Sequence, residues 1–252
     1  MKKTRIIARI DVKNEFAIKG IHLEGLRKVG NPNKMAIDYY RSGIDEIIFM
    51  DAVAAYYDRN SLSDLIESAC KDVFVPITVG GGIRTIDDIS RALKSGADKV
   101  AINTKAVQDP SFLTKASKIF GSQCIVSSIE AKLIEENKWE VYSDNGREPS
   151  GIDVVDWVKS VQSLGAGEIM LTSIDQEGTK RGFDMDLYHI VAKNISIPII
   201  ASGGMGNSLD AVALLKGANI DAIAMASILH YQIESIHNIK RTLIDSNFKV
   251  RL

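Results

Sequence analysis

The chain has 252 residues, 45% hydrophobic and 25% charged, which suits one globular unit with a sizeable core. Its 31 basic and 32 acidic side chains leave a net charge of −1, so bulk charge draws it to neither nucleic acid nor an anionic membrane. Two cysteines without C-x-x-C spacing, Cys70 and Cys124, argue against a disulfide framework or a zinc site, and no apolar run approaches the roughly 20 residues that cross a bilayer.

The first stretch, MKKTRIIARIDVK, is basic but lacks the apolar segment and small-residue cleavage site of a signal peptide. A cytoplasmic protein with reduced thiols is the expectation. RIIARID (5–11) is the first strand. The segment GIHLEGLRKVG (20–30) is glycine-rich and charged, and reads as a loop that can close over a site as a lid. Asn31-Pro32 then places a cap before a proline at the first helical position, opening NKMAIDYYRSG. EIIFMD (46–51) is a second strand, and Ser61 precedes the helix LSDLIESACKD.

VPITVG (75–80) runs into GGGIR (80–84), after which Thr85 and Asp88 open a helix that Gly96 stops. DKVAIN (98–103) is the fourth strand, and Asp109-Pro110 opens SFLTKASKIFG. The remaining strands are CIVSSIE (124–130), EIMLTS (168–173), IPIIAS (197–202) and DAIAMA (221–226). Helix starts lie near Asp153, Asp184 and Ser208, and HYQIESIHNIKRTLIDS supplies the last helix. The strand runs are nearly continuous in Ile, Val and Ala rather than alternating, as befits strands of a parallel sheet buried on both faces. Eight such runs alternating with helices predict an α/β fold, a (β/α)8 TIM barrel, as a single domain over 1–252. A doubly wound open sheet is the alternative, and no G-x-G-x-x-G follows the first strand to favour it.

The chain also repeats itself. RIIARIDVK (5–13) aligns with CIVSSIEAK (124–132), DEIIFMD (45–51) with GEIMLTS (167–173), and the segment 76–104 with 198–227. The offset is close to half the chain each time, so the barrel is expected to be built of two similar half-barrels.

Active sites of this fold lie at the C-terminal ends of the strands. Asp11 and Glu130 end equivalent strands and should face each other across the mouth. Two carboxylates flanking one substrate suit general acid–base catalysis, while either acid alone reads rather as a loop cap or a partner of its neighbour, Lys13 or Lys132. The glycines of GGGIR, with Gly82 among them, and Gly203 and Gly204 of GGMG let backbone N–H groups approach an anion. Asn103 and Thr104 add donors beside the first loop, and Ala226 and Ser227 beside the second. Tight turns alone explain one such loop; the duplicated pair predicts a long substrate with a phosphate at each end. Lys19 can meet a phosphate or clamp the lid. Arg5, Glu46, Lys99 and Glu168 start four strands at the opposite end, and taken alone read as ordinary surface salt bridging.

Together these motifs resemble the cyclase subunit of imidazole glycerol phosphate synthase, of histidine biosynthesis. ITVGGGIR, GADKVAIN, FGSQCIV, WEVYSDNGRE, GAGEIMLTSID, EGTKRGFD and IPIIASGG carry the resemblance, which runs along nearly the whole chain. It implies a heterodimer with a glutaminase subunit, whose ammonia enters the barrel floor and reaches a bisphosphorylated ribulosyl aminoimidazole carboxamide nucleotide at the mouth. It implies no metal and no organic cofactor. By the same resemblance Asp11 and Glu130 are the catalytic acids, and Arg5, Glu46, Lys99 and Glu168 form an ammonia gate. Asp98 docks the glutaminase. Asp51, Thr78, Thr172, Glu177, Gly178 and Ser202 join Lys19 and the cradle residues around the substrate.

Three departures from the family pattern stand out. Glu130 and Glu177 replace aspartates, and ARIDVK replaces a cysteine-leucine pair before the first acid. An added methylene moves a carboxylate by on the order of 1 Å, a displacement that can cost roughly 100-fold in rate. The alternative reading is therefore a relative that keeps the ammonia conduit but supports amidation of a nucleotide sugar for surface polysaccharide.

Overall fold

A computed structural model describes residues 3–52 and 62–251. In the first half the strands are β1 (Arg5–Lys13), β2 (Phe16–Ile21), β3 (Glu24–Gly30), β4 (Glu46–Asp51), β5 (Ile77–Gly80) and β6 (Lys99–Ile102). The second half holds β7 (Ile125–Glu135), β8 (Lys138–Ser143), β9 (Glu148–Asp153), β10 (Glu168–Ser173), β11 (Ile199–Ser202) and β12 (Ala222–Met225). Parallel pairing runs β1-β4-β5-β6-β7-β10-β11-β12 and returns to β1, closing a barrel of eight strands with helices between them. The predicted (β/α)8 architecture is thus the observed one.

Helix starts follow the local chemistry. Asn31 caps the helix Pro32–Arg41, its side chain accepting from the Lys34 N–H. Thr85 and Asp88 form a reciprocal capping box on Ile86–Lys94, and Asp153 and Asp184 cap Val154–Ser163 and Met185–Asn194. At the next helix the cap is Asn207, with Ser208 the first helical residue. The helix Leu62–Ala69 is present, while its expected start at Ser61 lies outside the described residues. Among the described residues no helix is long and apolar enough to cross a membrane.

Alternation along the strands divides the core in two. Ile6, Ala8 and Ile10 pack outward against the helices. Ile7, Ile48, Met50, Ala101, Val126, Met170, Ile200, Ala222 and Ala224 form a separate apolar cluster inside the barrel. Both faces are buried, which is why the strands read as continuous apolar runs.

Residues 20–30 differ from the expected loop. β2 and β3 form an antiparallel hairpin on the end of β1, with Asp11 opposite Ile18. The second half repeats this device: β8 and β9 extend β7, with Glu130 opposite Tyr142. The first hairpin turns at His22 and Leu23, both at positive φ (53° and 62°). Such turns usually carry Asn or Gly, so this sequence gives no hairpin signal. Its conformation is held from outside, by the His22 N–H donating to the Glu177 carbonyl and by His22 Nδ1 lying 2.9 Å from the Ile174 carbonyl oxygen.

Tyr188 ties the sheet to the helix Met185–Asn194. Its buried hydroxyl lies 3.0 Å from the Leu171 carbonyl oxygen on β10 and 2.6 Å from that of Ser202 on β11. Tyr188→Phe should lower the unfolding free energy by about 1–3 kcal/mol, since it strands buried polar groups. Denaturant midpoints of the two proteins check this.

Candidate active site

The predicted site residues gather at the two ends of the barrel, on strand ends, on the loops and helix starts that follow them, and on the first hairpin. At the N-terminal floor, Arg5 Nη1 donates to Glu46 Oε1 at 2.7 Å, and Arg5 Nη2 pairs with Glu168. Lys99 Nζ lies 2.9 Å from Glu168 Oε2 and 3.3 Å from Glu46 Oε2. The four groups close an alternating ring, with both glutamates buried. This corrects the surface reading: the charges start their strands on the inward parity, so the closed sheet turns them toward one another. Asp98 lies at the same end, where its Oδ2 accepts the Ile77 N–H at 2.8 Å. Asp45 and Asp221 make the same bond to Ile6 and Ile199, so this aspartate position has a structural task of its own.

Above the ring, every barrel strand except β5 contributes to the inner apolar cluster before reaching the mouth. Thr78 Oγ1 is buried on this inner face without a hydrogen-bond partner among the described residues. The mouth then opens with the two acids. Asp11 is 6% exposed and Glu130 4%. Glu130 Oε2 accepts Asn103 Nδ2 at 2.9 Å and the Gly146 N–H at 2.7 Å. The second hairpin therefore holds this carboxylate from above.

The two acids differ in proton affinity. Burial pushes Glu130 up to about 7; Arg9 and the Gly146 N–H oppose the rise, and Asp11 and Asp144 add to it. Burial acts on Asp11 too, but there Arg9 and Lys19 outweigh it and hold the carboxyl below its usual range. Two carboxylates driven apart in this way are suited to act as a proton donor and a proton acceptor.

The glycine loops are related by the repeat. Gly81 and Gly203 occupy equivalent places with φ of 91° and 98°. A Cβ on Gly81 would collide with the Asp51 carbonyl oxygen, and one on Gly203 would crowd that of Ser173, so each loop hugs the strand beside it. Gly81, Gly82, Asn103 and Thr104, with Asp51 and Glu130, line a cavity of about 350 Å³. The second cradle contains Gly178, Gly203, Gly204, Ala226 and Ser227 but encloses only about 20 Å³. That is space for a water or so, not a phosphate. Lys19 and Glu177 line it as a buried ion pair, and Glu177 Oε2 also accepts the Leu23 N–H at 3.1 Å. The repeat predicts two equal cradles; the structure holds one open and one latched by the first hairpin.

Sequence reasoning passed over Arg9 as a site residue. It is 4% exposed and shares the inner face with Asp11 two residues later. Its Nε–H donates to Asp11 Oδ1 at 2.8 Å, and its Nη1 lies 3.1 Å from Thr172 Oγ1 and 3.4 Å from Ser202 Oγ. The signal was present: one charge inside the apolar run RIIARID, in phase with the acid. Also unforeseen are Asn145, whose Nδ2 lies 3.5 Å from the Leu23 carbonyl oxygen and so links the hairpins, and His230. Burial drives His230 down to about 4, and Tyr39 Oη lies 2.8 Å from its Nδ1. Among the described residues no group of three or more His, Cys, Asp or Glu is arranged to hold a metal.

Comparison with known proteins gives the chain a family. The family model described as histidine biosynthesis protein matches residues 5–234. The protein "imidazole glycerol phosphate synthase subunit HisF" of Legionella pneumophila is 56% identical, over 82% of this chain and 97% of its own length. Proteins of the same name from Bacillus cereus strains AH187 and Q1 are each 43% identical over the whole of both chains. The chain belongs to the histidine biosynthesis protein family, in its HisF group.

Proposed function

We propose that this chain is the cyclase, or synthase, subunit of imidazole glycerol phosphate synthase. It uses ammonia from a glutaminase subunit, its partner in a heterodimer, to convert the bisphosphorylated ribulosyl aminoimidazole carboxamide nucleotide. The products are imidazole glycerol phosphate and aminoimidazole carboxamide ribotide. The observation that carries this reading is the pair of strand-end carboxylates, Asp11 and Glu130, with opposite shifts in proton affinity at one mouth. The names of the Legionella and Bacillus relatives point the same way.

The route follows the inner face. Neutral ammonia passes the floor ring, crosses the apolar cluster and meets the substrate at the mouth. There it adds to the ribulosyl carbonyl. One proton passes from the nitrogen to Asp11 while Glu130 protonates the carbonyl oxygen; Asp11 then hands its proton to that oxygen, which leaves as water, and the nitrogen returns a second proton to Glu130, leaving an imine. The imine nitrogen then bonds to the formimino carbon, and the bond from that carbon to the aminoimidazole nitrogen breaks, releasing imidazole glycerol phosphate and the ribotide. The open cradle at Gly82 and Asn103 takes one phosphate. The other phosphate enters at Gly203 and Ser227 by replacing Glu177 as the partner of Lys19. Asp51 borders the first of these ends and Gly178 the second, with Thr172 on β10 between them.

A steady-state assay with the bisphosphate substrate and ammonium salt tests the activity; no turnover by the folded protein would sink it. With free ammonia held constant, kcat/KM should fall as pH rises through about 7, because Glu130 acts in its protonated form. Glu130→Gln should lower kcat by on the order of 100- to 10,000-fold and remove that limb. The same variant has a readout independent of turnover. The folded-state affinity of Glu130 for its proton is raised, so the stability tied to protonation is complete at low pH and lost as pH rises through about 7. Glu130→Gln should therefore raise the melting temperature at pH 8 relative to wild type and change it little at pH 4, as calorimetry would show. With the glutaminase subunit present, Arg5→Ala should reduce glutamine-dependent turnover while sparing ammonium-dependent turnover, since it breaks only the floor ring.

A further inference from the structure

Arg9 has no part in the route just described, yet it occupies the centre of the mouth. β1 is separated from β10 by β12 and β11, so a side chain that starts on β1 and meets Thr172 on β10 spans the inside of the barrel. Ser202 on β11 supplies a second brace. The nearly full burial of the guanidinium makes the arrangement costly unless the charge is paired, and Asp11 is the carboxylate that pairs with it. The contact is also selective. Arg9 bonds Asp11 through Nε, whereas Glu130 is held by Asn103 and Gly146 instead. Among the described residues, the second carboxylate oxygen of Asp11, Oδ2, accepts no hydrogen bond.

We propose that Arg9 is a positioning residue for the acid–base pair: braced on Thr172 and Ser202, it fixes the orientation of Asp11 and leaves Oδ2 as the oxygen that faces the reacting atoms. The inference rests on the reading of Asp11 and Glu130 as that pair. Arg9 makes the two acids unequal, because it touches one and only approaches the other. The charged and titratable groups facing Asp11 are Arg9 from its own strand, Lys19 from β2, His230 from the segment after β12, and Glu130 from β7. Glu177 faces Arg9 and is taken up by Lys19. Of the cations, Arg9 alone makes a hydrogen bond to Asp11 among the described residues.

The test is a carboxyl titration by carbon-13 NMR on protein labelled at aspartate and glutamate side chains. Asp11→Asn and Glu130→Gln assign the two signals. Arg9→Met and Arg9→Gln remove the charge, the second keeping a polar group for Thr172 and Ser202; Arg9→Lys keeps the charge. In the neutral variants the Asp11 midpoint should rise by about 1–3 pH units, and Arg9→Lys should recover part of the difference. The acid limb of kcat/KM with ammonium salt should rise by the same amount in the neutral variants and less in Arg9→Lys. An Asp11 midpoint unchanged in both neutral variants would overturn the proposal, as would an acid limb that stays put while the midpoint moves. The expected titrations without turnover in any protein, wild type included, would uphold the hold of Arg9 on Asp11 and sink the cyclase reading.

Discussion

A side chain on a strand of a closed parallel barrel faces either the helices or the axis. This pleat parity governs the molecule. Each strand sends every second residue into a single shared space, and eight strands fill it together. Along β1 the inward positions are Arg5, Ile7, Arg9 and Asp11, which means floor ring, apolar filling, strut and acid in that order. A shift of one residue in the register of this strand would send all four toward the helices. The function is thus written along the axis of the barrel, with the charged groups at its two ends and an apolar stretch between them.

The charges are tolerable only because they meet. Arg5, Lys99, Glu46 and Glu168 neutralise one another at the floor. At the mouth Arg9 answers Asp11 and Lys19 answers Glu177. Among the described residues Glu130 has no cation in contact and is held by an amide and a backbone N–H. Burial then favours its neutral form, and the imbalance sets its proton affinity apart from that of Asp11.

Much of the fold was legible in the sequence. The continuous apolar runs, the capping residues Asn31, Thr85, Asp153 and Asp184, and the two-fold repeat all follow from local physics. The acids and glycine loops were legible because the repeat gave each a counterpart. What escaped shares a different origin. The His22–Leu23 turn uses residues that do not favour positive φ, so its shape depends on Glu177, far away in the chain. The floor ring was legible only through the resemblance, because four strand-starting charges taken alone look like surface charges until the sheet closes. Arg9 looked like a blemish in a strand, and its partners Thr172 and Ser202 lie 163 and 193 residues away. The unequal cradles were invisible for the same reason: the repeat predicts symmetry, and a single buried ion pair removes it.

That ion pair also bears on how such a barrel can be assembled from halves. Lys19 belongs to the first half and Glu177 to the second. Asn145 of the second hairpin meets Leu23 of the first by the same cross-half logic. Lys19 and Glu177 thus come together only where a first half closes against a second. The halves still share an outline, but they have become lock and key, and neither can any longer stand in for the other.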